Sequence, residues 1–260
     1  MSDHKRVRIM PCLDMRAGRV VKGIHFVDIR DAGDPVACAR AYVEAGADEL
    51  ALLDITATVE SRGTLLDVVQ RVAEATTIPF SVGGGIGDRA SAEAVFEAGA
   101  NRVSIASAAF RKPELVGELV QAFGSDKVIV AIDADRNPAM PSGYEVYVDG
   151  GRTATGTDAL EWARRVDEAG VGTILPTSKA GDGARTGYDL PLIRALASNL
   201  SADIVASGGA GELPHFLDAV QAGATVLLAA SVFHFNVIAI PELKDYLRKH
   251  GVPVSPADDR

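Results

Sequence analysis

Only two cysteines, Cys12 and Cys38, occur in the 260 residues of this chain. Two cysteines offer no disulfide framework, and a reducing cytosol is the simplest home for such a chain. Positive charge is also in short supply. A formal net charge of −9 argues against nucleic acid or an anionic membrane as the main partner. It leaves a phosphorylated substrate open, because helix N-termini and a few local bases can bind phosphate on an acidic protein. No apolar run is long enough to span a bilayer, and no apolar signal region follows Met1-Ser2-Asp3-His4-Lys5-Arg6. The five histidines, His4, His25, His215, His234 and His250, show no metal-ligand spacing. His215 and His234 read as helix and loop residues. No Cys–His or Ser–His–Asp set emerges. The expected setting is soluble and cytoplasmic.

Apolar residues, in contrast, make up 47% of the chain, enough for a sizeable core. They fall into short runs separated by stretches of helical spacing. The strand signals are Arg8 to Asp14, Leu50 to Asp54, Ile78 to Val82, Arg102 to Ile105, Lys127 to Asp133, Thr173 to Thr177, Asp203 to Ala206 and Val226 to Ala229. Helical patterns lie between them, several opened by Asp or Pro and closed by Gly, as at Asp34-Pro35 and Gly46. Eight strand–helix units favour an α/β fold of the (β/α)8 TIM barrel type over an open sheet. Residues 15–23 read as a polar loop punctuated by glycine. Tyr144 to Gly151 alternates and ends in a turn, which predicts a hairpin inserted after the fifth strand. The expected organisation is one barrel over residues 1–252 and a disordered tail over 253–260.

The two halves resemble each other. Gly83-Gly84 pairs with Gly208-Gly209, Ala106-Ser107 with Ala230-Ser231, and Glu44-Ala45-Gly46 with Glu168-Ala169-Gly170. Each offset is about 124 or 125 residues, which suggests two half-barrels. Asp14 and Asp133 end matching strands, the first and the fifth, which lie opposite each other in an eight-stranded ring. Two separated carboxylates at one barrel mouth can divide acid and base roles if their surroundings push their pKa values apart. A single strand-end aspartate more often caps the next loop, and Asp54 is read that way. Cys12, inside the first strand, reads as core.

The glycine clusters are the phosphate candidates. Gly83-Gly84-Gly85 and Gly208-Gly209 leave backbone N–H groups open to an anion. Ala106-Ser107 and Ala230-Ser231 follow the neighbouring strands and could add N–H and hydroxyl donors. Two such pairs predict a substrate with a phosphate at each end. Lys22, on the loop after Asp14, either pairs a substrate anion or is solvated.

Pro11-Cys12-Leu13-Asp14, Gly18-Arg19-Val20-Val21-Lys22-Gly23, Arg30-Asp31-Ala32-Gly33-Asp34-Pro35, Leu53-Asp54-Ile55-Thr56-Ala57, Val82-Gly83-Gly84-Gly85-Ile86, Ala131-Ile132-Asp133, Ala206-Ser207-Gly208-Gly209-Ala210-Gly211 and Ala229-Ala230-Ser231-Val232-Phe233-His234-Phe235 carry a resemblance. Over nearly its whole length the chain resembles the cyclase subunits of imidazole glycerol phosphate synthase, the HisF family. The related isomerases of histidine synthesis share the half-barrel pattern, but their first strand reads differently. The resemblance implies that an open-chain aminoimidazole-carboxamide substrate with two phosphates (PRFAR) reacts with ammonia. The products are imidazole glycerol phosphate and aminoimidazole carboxamide ribotide. Asp14 and Asp133 take the family's general acid/base positions, and Lys22, Gly84, Gly85, Ala106, Ser107, Thr177, Asp182, Gly183, Gly208, Gly209, Ala230 and Ser231 its substrate and phosphate positions. Ammonia in the family comes from a separate glutaminase subunit through the barrel core. No metal or organic cofactor is implied.

Several positions depart from the family pattern. The sixth-strand loop reads Thr177-Ser178-Lys179-Ala180-Gly181-Asp182-Gly183-Ala184; Thr177, Asp182 and Gly183 keep their places, while another acid and its arginine are gone. Ala106 stands where the family usually has Asn. The family's ammonia gate of Arg, Glu, Lys and Glu reads here Arg8, Glu49, Arg102 and Thr173. Asn101 replaces an Asp that pairs with the glutaminase. Two function classes follow. One is a working cyclase with altered ammonia delivery. The other is a diverged relative, acting on another phosphosugar or binding one without turnover. The intact aspartate pair favours the first, and Ala106 and Thr173 favour the second.

Overall fold

Side chains of a strand point alternately to its two faces, so a strand buried on both sides reads as one apolar run. The first strand, β1 (Arg8–Arg16), is such a run from Ile9 to Leu13. The computed structural model describes residues 6–24, 27–55, 57 and 65–255, with the side chains of 22–31 outside that description. Along it follow β2 (Arg19–Ile24), β3 (Val27–Gly33), β4 (Leu50–Asp54), β5 (Phe80–Gly83), β6 (Arg102–Ile105), β7 (Val128–Arg136), β8 (Tyr144–Val148), β9 (Thr153–Asp158), β10 (Thr173–Ser178), β11 (Asp203–Ala206) and β12 (Val226–Ala229). Eight of them, β1, β4, β5, β6, β7, β10, β11 and β12, pair in parallel in that order. Within that order β7 pairs with β10, with Ala131 opposite Leu175 and Asp133 opposite Thr177, and pairing of β12 with β1, with Arg8 opposite Val226, closes the ring. The fold is the expected (β/α)8 barrel.

Helices cover the outside of the ring. They are α1 (Pro35–Glu44), α2 (Leu66–Ala75), α3 (Arg89–Glu97), α4 (Ser107–Arg111), α5 (Glu114–Phe123), α6 (Ala159–Glu168), α7 (Leu190–Ala197), α8 (Leu213–Gln221), α9 (Ser231–His234) and α10 (Ile240–Lys249). Aspartates open many of them. The Asp34 side chain accepts from the N–H groups of Val36 and Ala37, with Pro35 in the first turn. Asp158 and Asp189 cap α6 and α7 in the same way. The main core lies between helices and barrel and includes Leu13, Leu52, Val103, Trp162 and Phe216. A second cluster fills the barrel itself: Met10, Cys12, Ala51, Ile129, Leu175, Val205, Val226 and Leu228. Such layered filling makes the interior a packed core rather than an open pore.

Two hairpins extend the barrel at its C-terminal face. β7 runs past Asp133 and pairs antiparallel with β8, which pairs with β9, so the hairpin expected near Tyr144 is present. Residues 15–23, expected as a loop, differ. β1 turns at Ala17 and Gly18, which take φ of 48° and 75°, and returns as β2, with Arg16 opposite Arg19. β2 then pairs with β3. Left-handed backbone at two successive turn residues produces a tight hairpin. Ala17 hides it, because an alanine seldom supplies that conformation. Both half-barrels therefore carry a hairpin after their first strand. Within the stretch expected as a tail, the Pro253 carbonyl accepts from Val7 N–H at 2.8 Å and Val254 bridges to Val7; residues 256–260 lie outside the described residues.

Candidate active site

Asp14 and Asp133 come to the same mouth, as their matched strands require. Asp14 lies opposite Leu53 of β4 at the point where β1 leaves the barrel. Asp133 lies between Thr177 of β10 and Tyr147 of β8. The mouth opens as two lobes that share Leu53, Ile55, Ser104, Ala131 and Asp133. The smaller, of about 170 Å³, holds Asp14, Thr177, Asp182, Gly183, Gly208, Gly209, Ala230 and Ser231. The larger, of about 580 Å³, holds Gly84, Gly85, Ala106 and Ser107. Each lobe thus takes the glycine cluster of one half-barrel, and Asp133 stands where they meet.

The two clusters share backbone geometry. Gly84 and Gly208 take φ of 94° and 82°, and Gly85 and Gly209 take 75° and 109°. Ala106 and Ala230 take φ of −129° and −114°. Glycine is also required for packing. A Cβ on Gly84 would stand 2.2 Å from the Asp54 carbonyl oxygen, and one on Gly209 would stand 2.0 Å from that of Gly187. These glycines therefore serve the close approach of neighbouring loops.

Burial first, and the charge of Asp182 after it, push the Asp133 carboxyl up to about 6 against the opposite pull of Lys179 and the Gly151 N–H. A carboxyl with that affinity exchanges protons close to neutral pH. The Cys12 thiol donates to Asp14 Oδ1 at 3.2 Å. Cys12 is buried in the barrel, as expected of a core residue, and it also lines the smaller lobe. Asp54 accepts from Ala57 N–H at 3.2 Å, a loop-capping role. His215 takes N–H bonds from Gly211 and Glu212 through Nδ1 and so braces the start of α8. Lys22 lies on β2 rather than on a loop, and its side chain lies outside the described residues.

At the other end of the barrel, Arg8, Glu49, Arg102 and Thr173 face one another from inward-pointing positions. Glu49 is buried, yet it binds Arg8 Nη1 at 2.7 Å through Oε1 and Arg102 through Oε2. Arg8 also reaches Asp203 with Nη2 at 3.0 Å. Asp203 lies opposite buried Thr173 in the β10–β11 register. The floor is thus an alternating chain, Asp203–Arg8–Glu49–Arg102, about 20 Å below Asp14 at the usual strand rise. Asn101 Oδ1 accepts from Phe80 N–H at 2.9 Å and ties the start of β5.

Several side chains at the mouth carry no signal in the sequence. Arg185 and Ser207 line the smaller lobe, and Arg111 and Lys112 the larger. Lys179 lies 3.5 Å from the Tyr147 ring centre and 3.7 Å from an Asp135 oxygen. Asp203 was equally silent. Isolated charges on loops and strand ends have no periodicity or spacing to mark them, and only the closed ring brings them together.

The sequence pattern of the histidine biosynthesis protein family matches residues 8–239. Among curated relatives, the imidazole glycerol phosphate synthase subunit HisF of Salinispora tropica is 50% identical over 250 residues, spanning 95% of this chain and 98% of the relative. The HisF subunit of Pyrobaculum aerophilum is 52% identical over 250 residues, with the same coverage of both chains. That of Prochlorococcus marinus is 48% identical over 253 residues, covering 97% of this chain and 99% of the relative. Near-complete coverage at such identity decides the question of kinship: the chain belongs to the histidine biosynthesis protein family, among the HisF subunits of imidazole glycerol phosphate synthase.

Proposed function

We infer that this chain is the cyclase subunit of imidazole glycerol phosphate synthase. It joins ammonia to PRFAR and releases imidazole glycerol phosphate and aminoimidazole carboxamide ribotide. The observation that carries the reading is the two-lobed mouth, with one glycine cluster in each lobe and Asp133 at the junction. A long substrate with a phosphate at each end fits that layout. Its reacting centre then lies between Asp14 and Asp133. Ring closure removes protons from the attacking nitrogen and delivers them to departing groups, and Asp133, with its affinity near 6, suits such exchange. Gly84, Gly85, Ala106 and Ser107 hold one phosphate. Gly183, Gly208, Gly209, Ala230 and Ser231 hold the other, with Thr177, Asp182 and Lys22 beside the substrate chain.

Ammonia delivery follows the barrel axis in this reading. A glutaminase subunit docks at the floor, and Arg8, Glu49, Arg102 and Thr173 gate the way into the barrel. The apolar filling above them, including Met10, Ala51 and Val205, excludes the ammonium ion, because an unpaired charge is costly there. In this reading the ammonia comes from that subunit and not from this chain. Among the described residues no helix is long and apolar enough to cross a membrane, and a cytoplasmic setting belongs to the same reading.

The test is an assay of the purified chain with PRFAR and ammonium salt at alkaline pH, without any glutaminase. Loss of substrate absorbance and formation of both products is the expected result. Asp14→Asn and Asp133→Asn should each lower turnover by at least about 100-fold while sparing the fold. Folded wild-type chain that binds phosphate ligands without turnover would favour the diverged relative, for which Ala106 speaks by presenting only a methyl group beside the larger lobe.

A further inference from the structure

The larger lobe presents only a methyl group at Ala106, yet a cation stands close by. Arg111 closes α4, the short helix that Ala106 opens, and it lines the same lobe as Gly84 and Gly85. A single nitrogen, Nη2, binds both Asp149 oxygens, at 2.6 and 2.8 Å. The remaining guanidinium nitrogens meet no acceptor among the described residues. Asp149 is itself held in place. Its N–H donates to Ser107 Oγ at 2.8 Å, and its backbone is left-handed with φ of 58°. Arg111 in turn holds the Asp149 carboxyl below its ordinary range, so the pair stays ionised. The guanidinium is therefore positioned before any ligand arrives, and such preorganisation is what makes an arginine an efficient anion binder.

The other charges of the lobe point to the same conclusion. Asp54 caps Ala57, and Asp88 caps α3 through the Ser91 N–H at 2.8 Å. Both carboxylates are engaged with backbone, and the third, Asp133, stands at the junction with the smaller lobe. Lys112 adds a second cation on the lining. Ser107 accepts from Asp149, which leaves its own O–H to donate.

We propose that Arg111, positioned by Asp149 and Ser107, binds the substrate phosphate in the larger lobe. The assignment rests on the cyclase reading. It makes this end of the site depend on charge.

The experiment compares wild-type chain with Arg111→Ala, Arg111→Gln and Arg111→Lys. Each is assayed with PRFAR and ammonium salt, and each is titrated with PRFAR alone by calorimetry, where the lack of ammonia prevents turnover. Arg111→Ala and Arg111→Gln are expected to raise KM and Kd for PRFAR about tenfold, with kcat changed by less than about twofold. Arg111→Lys recovers part of the loss. Arg111→Gln keeps the side-chain length and decides the matter if the alanine variant fails to fold. Unchanged Kd in a folded variant overturns the proposal, as does a loss confined to kcat. Wild-type chain that binds PRFAR without converting it defeats the cyclase reading alone, and the comparison of Kd still decides the role of Arg111. Wild-type chain that does not bind PRFAR overturns both.

Discussion

Asp182, on the loop after β10, sets its negative charge against Asp133 of the neighbouring strand β7, and the Asp133 carboxyl, already raised by burial, reaches about 6. An acid whose folded-state affinity lies above its ordinary value of 3.8 binds its proton more tightly folded than unfolded. Its ionised form then costs stability above pH 6, and the cost fades as pH falls towards 3.8. Asparagine cannot ionise. Asp133→Asn should therefore stabilise the fold by up to about 3 kcal/mol at about pH 8 and by much less at about pH 4.5. Urea unfolding at the two pH values measures this, and an equal difference at both would refute it. Loss of turnover with gain of stability is the pattern expected where a site is built against the fold's own preference.

The same pair yields a second expectation. Asp182→Asn removes one of the two causes of the raised affinity and leaves burial and Lys179 in place. The midpoint of Asp133 should fall below that of the wild type. A ¹³C carboxyl titration of labelled aspartate reads it directly. An unmoved midpoint would mean that burial alone sets the value.

The floor of the barrel makes a separate prediction about stability. Glu49 is the only carboxylate that both Arg8 and Arg102 touch among the described residues, and its side chain is 4% exposed. Replacing one member of a buried charge network leaves the others uncompensated. Glu49→Gln should cost about 3 kcal/mol. Asp203 has a more exposed side chain, at 15%, and Arg8 keeps Glu49 when it is removed. Asp203→Asn should cost less than about 1 kcal/mol. Equal losses in urea unfolding would show that Arg8 depends on both acids alike.

How far the sequence carries can be judged from these residues. Apolar runs separated by helical spacing are enough to announce eight strand–helix units, because a buried parallel strand cannot tolerate polar interruptions. Asp14 and Asp133 were legible because they stand at matching places near the ends of the apolar runs of β1 and β7, although both strands continue past them, and the glycine clusters because they recur at a nearly fixed offset. The β1–β2 hairpin was not, since Ala17 sits where a turn normally advertises itself with Asn or Gly. Arg8 with Asp203, and Arg111 with Asp149, were not legible either. Each is a contact between residues far apart in the chain, one across the floor of the ring and one between two loops at the mouth. Such pairs exist only once the strands that carry them have packed side by side. Sequence spacing within one element cannot encode them.

The last prediction concerns why the clusters must be glycine. Gly209 takes φ of 109°, and an added Cβ would meet the Gly187 carbonyl oxygen at 2.0 Å. Neither problem can be relieved by rotating a side chain, because the obstructing atom is backbone. Gly187 N–H also donates to Gly209 O at 2.8 Å, so the two loops cannot simply part. Gly209→Ala should cost more than about 3 kcal/mol and weaken the smaller lobe's hold on phosphate. Gly117 is the control. It lies inside α5, and a Cβ there meets nothing within 4 Å. Gly117→Ala removes backbone entropy from the unfolded chain and should add about 0.5–1 kcal/mol. Thermal unfolding of the two variants separates a glycine kept for space and backbone angle from one that is merely tolerated. A small loss at Gly209 would mean that the loops carrying Gly187 and Gly209 can move apart, and the phosphate lobe would then be a pliant one.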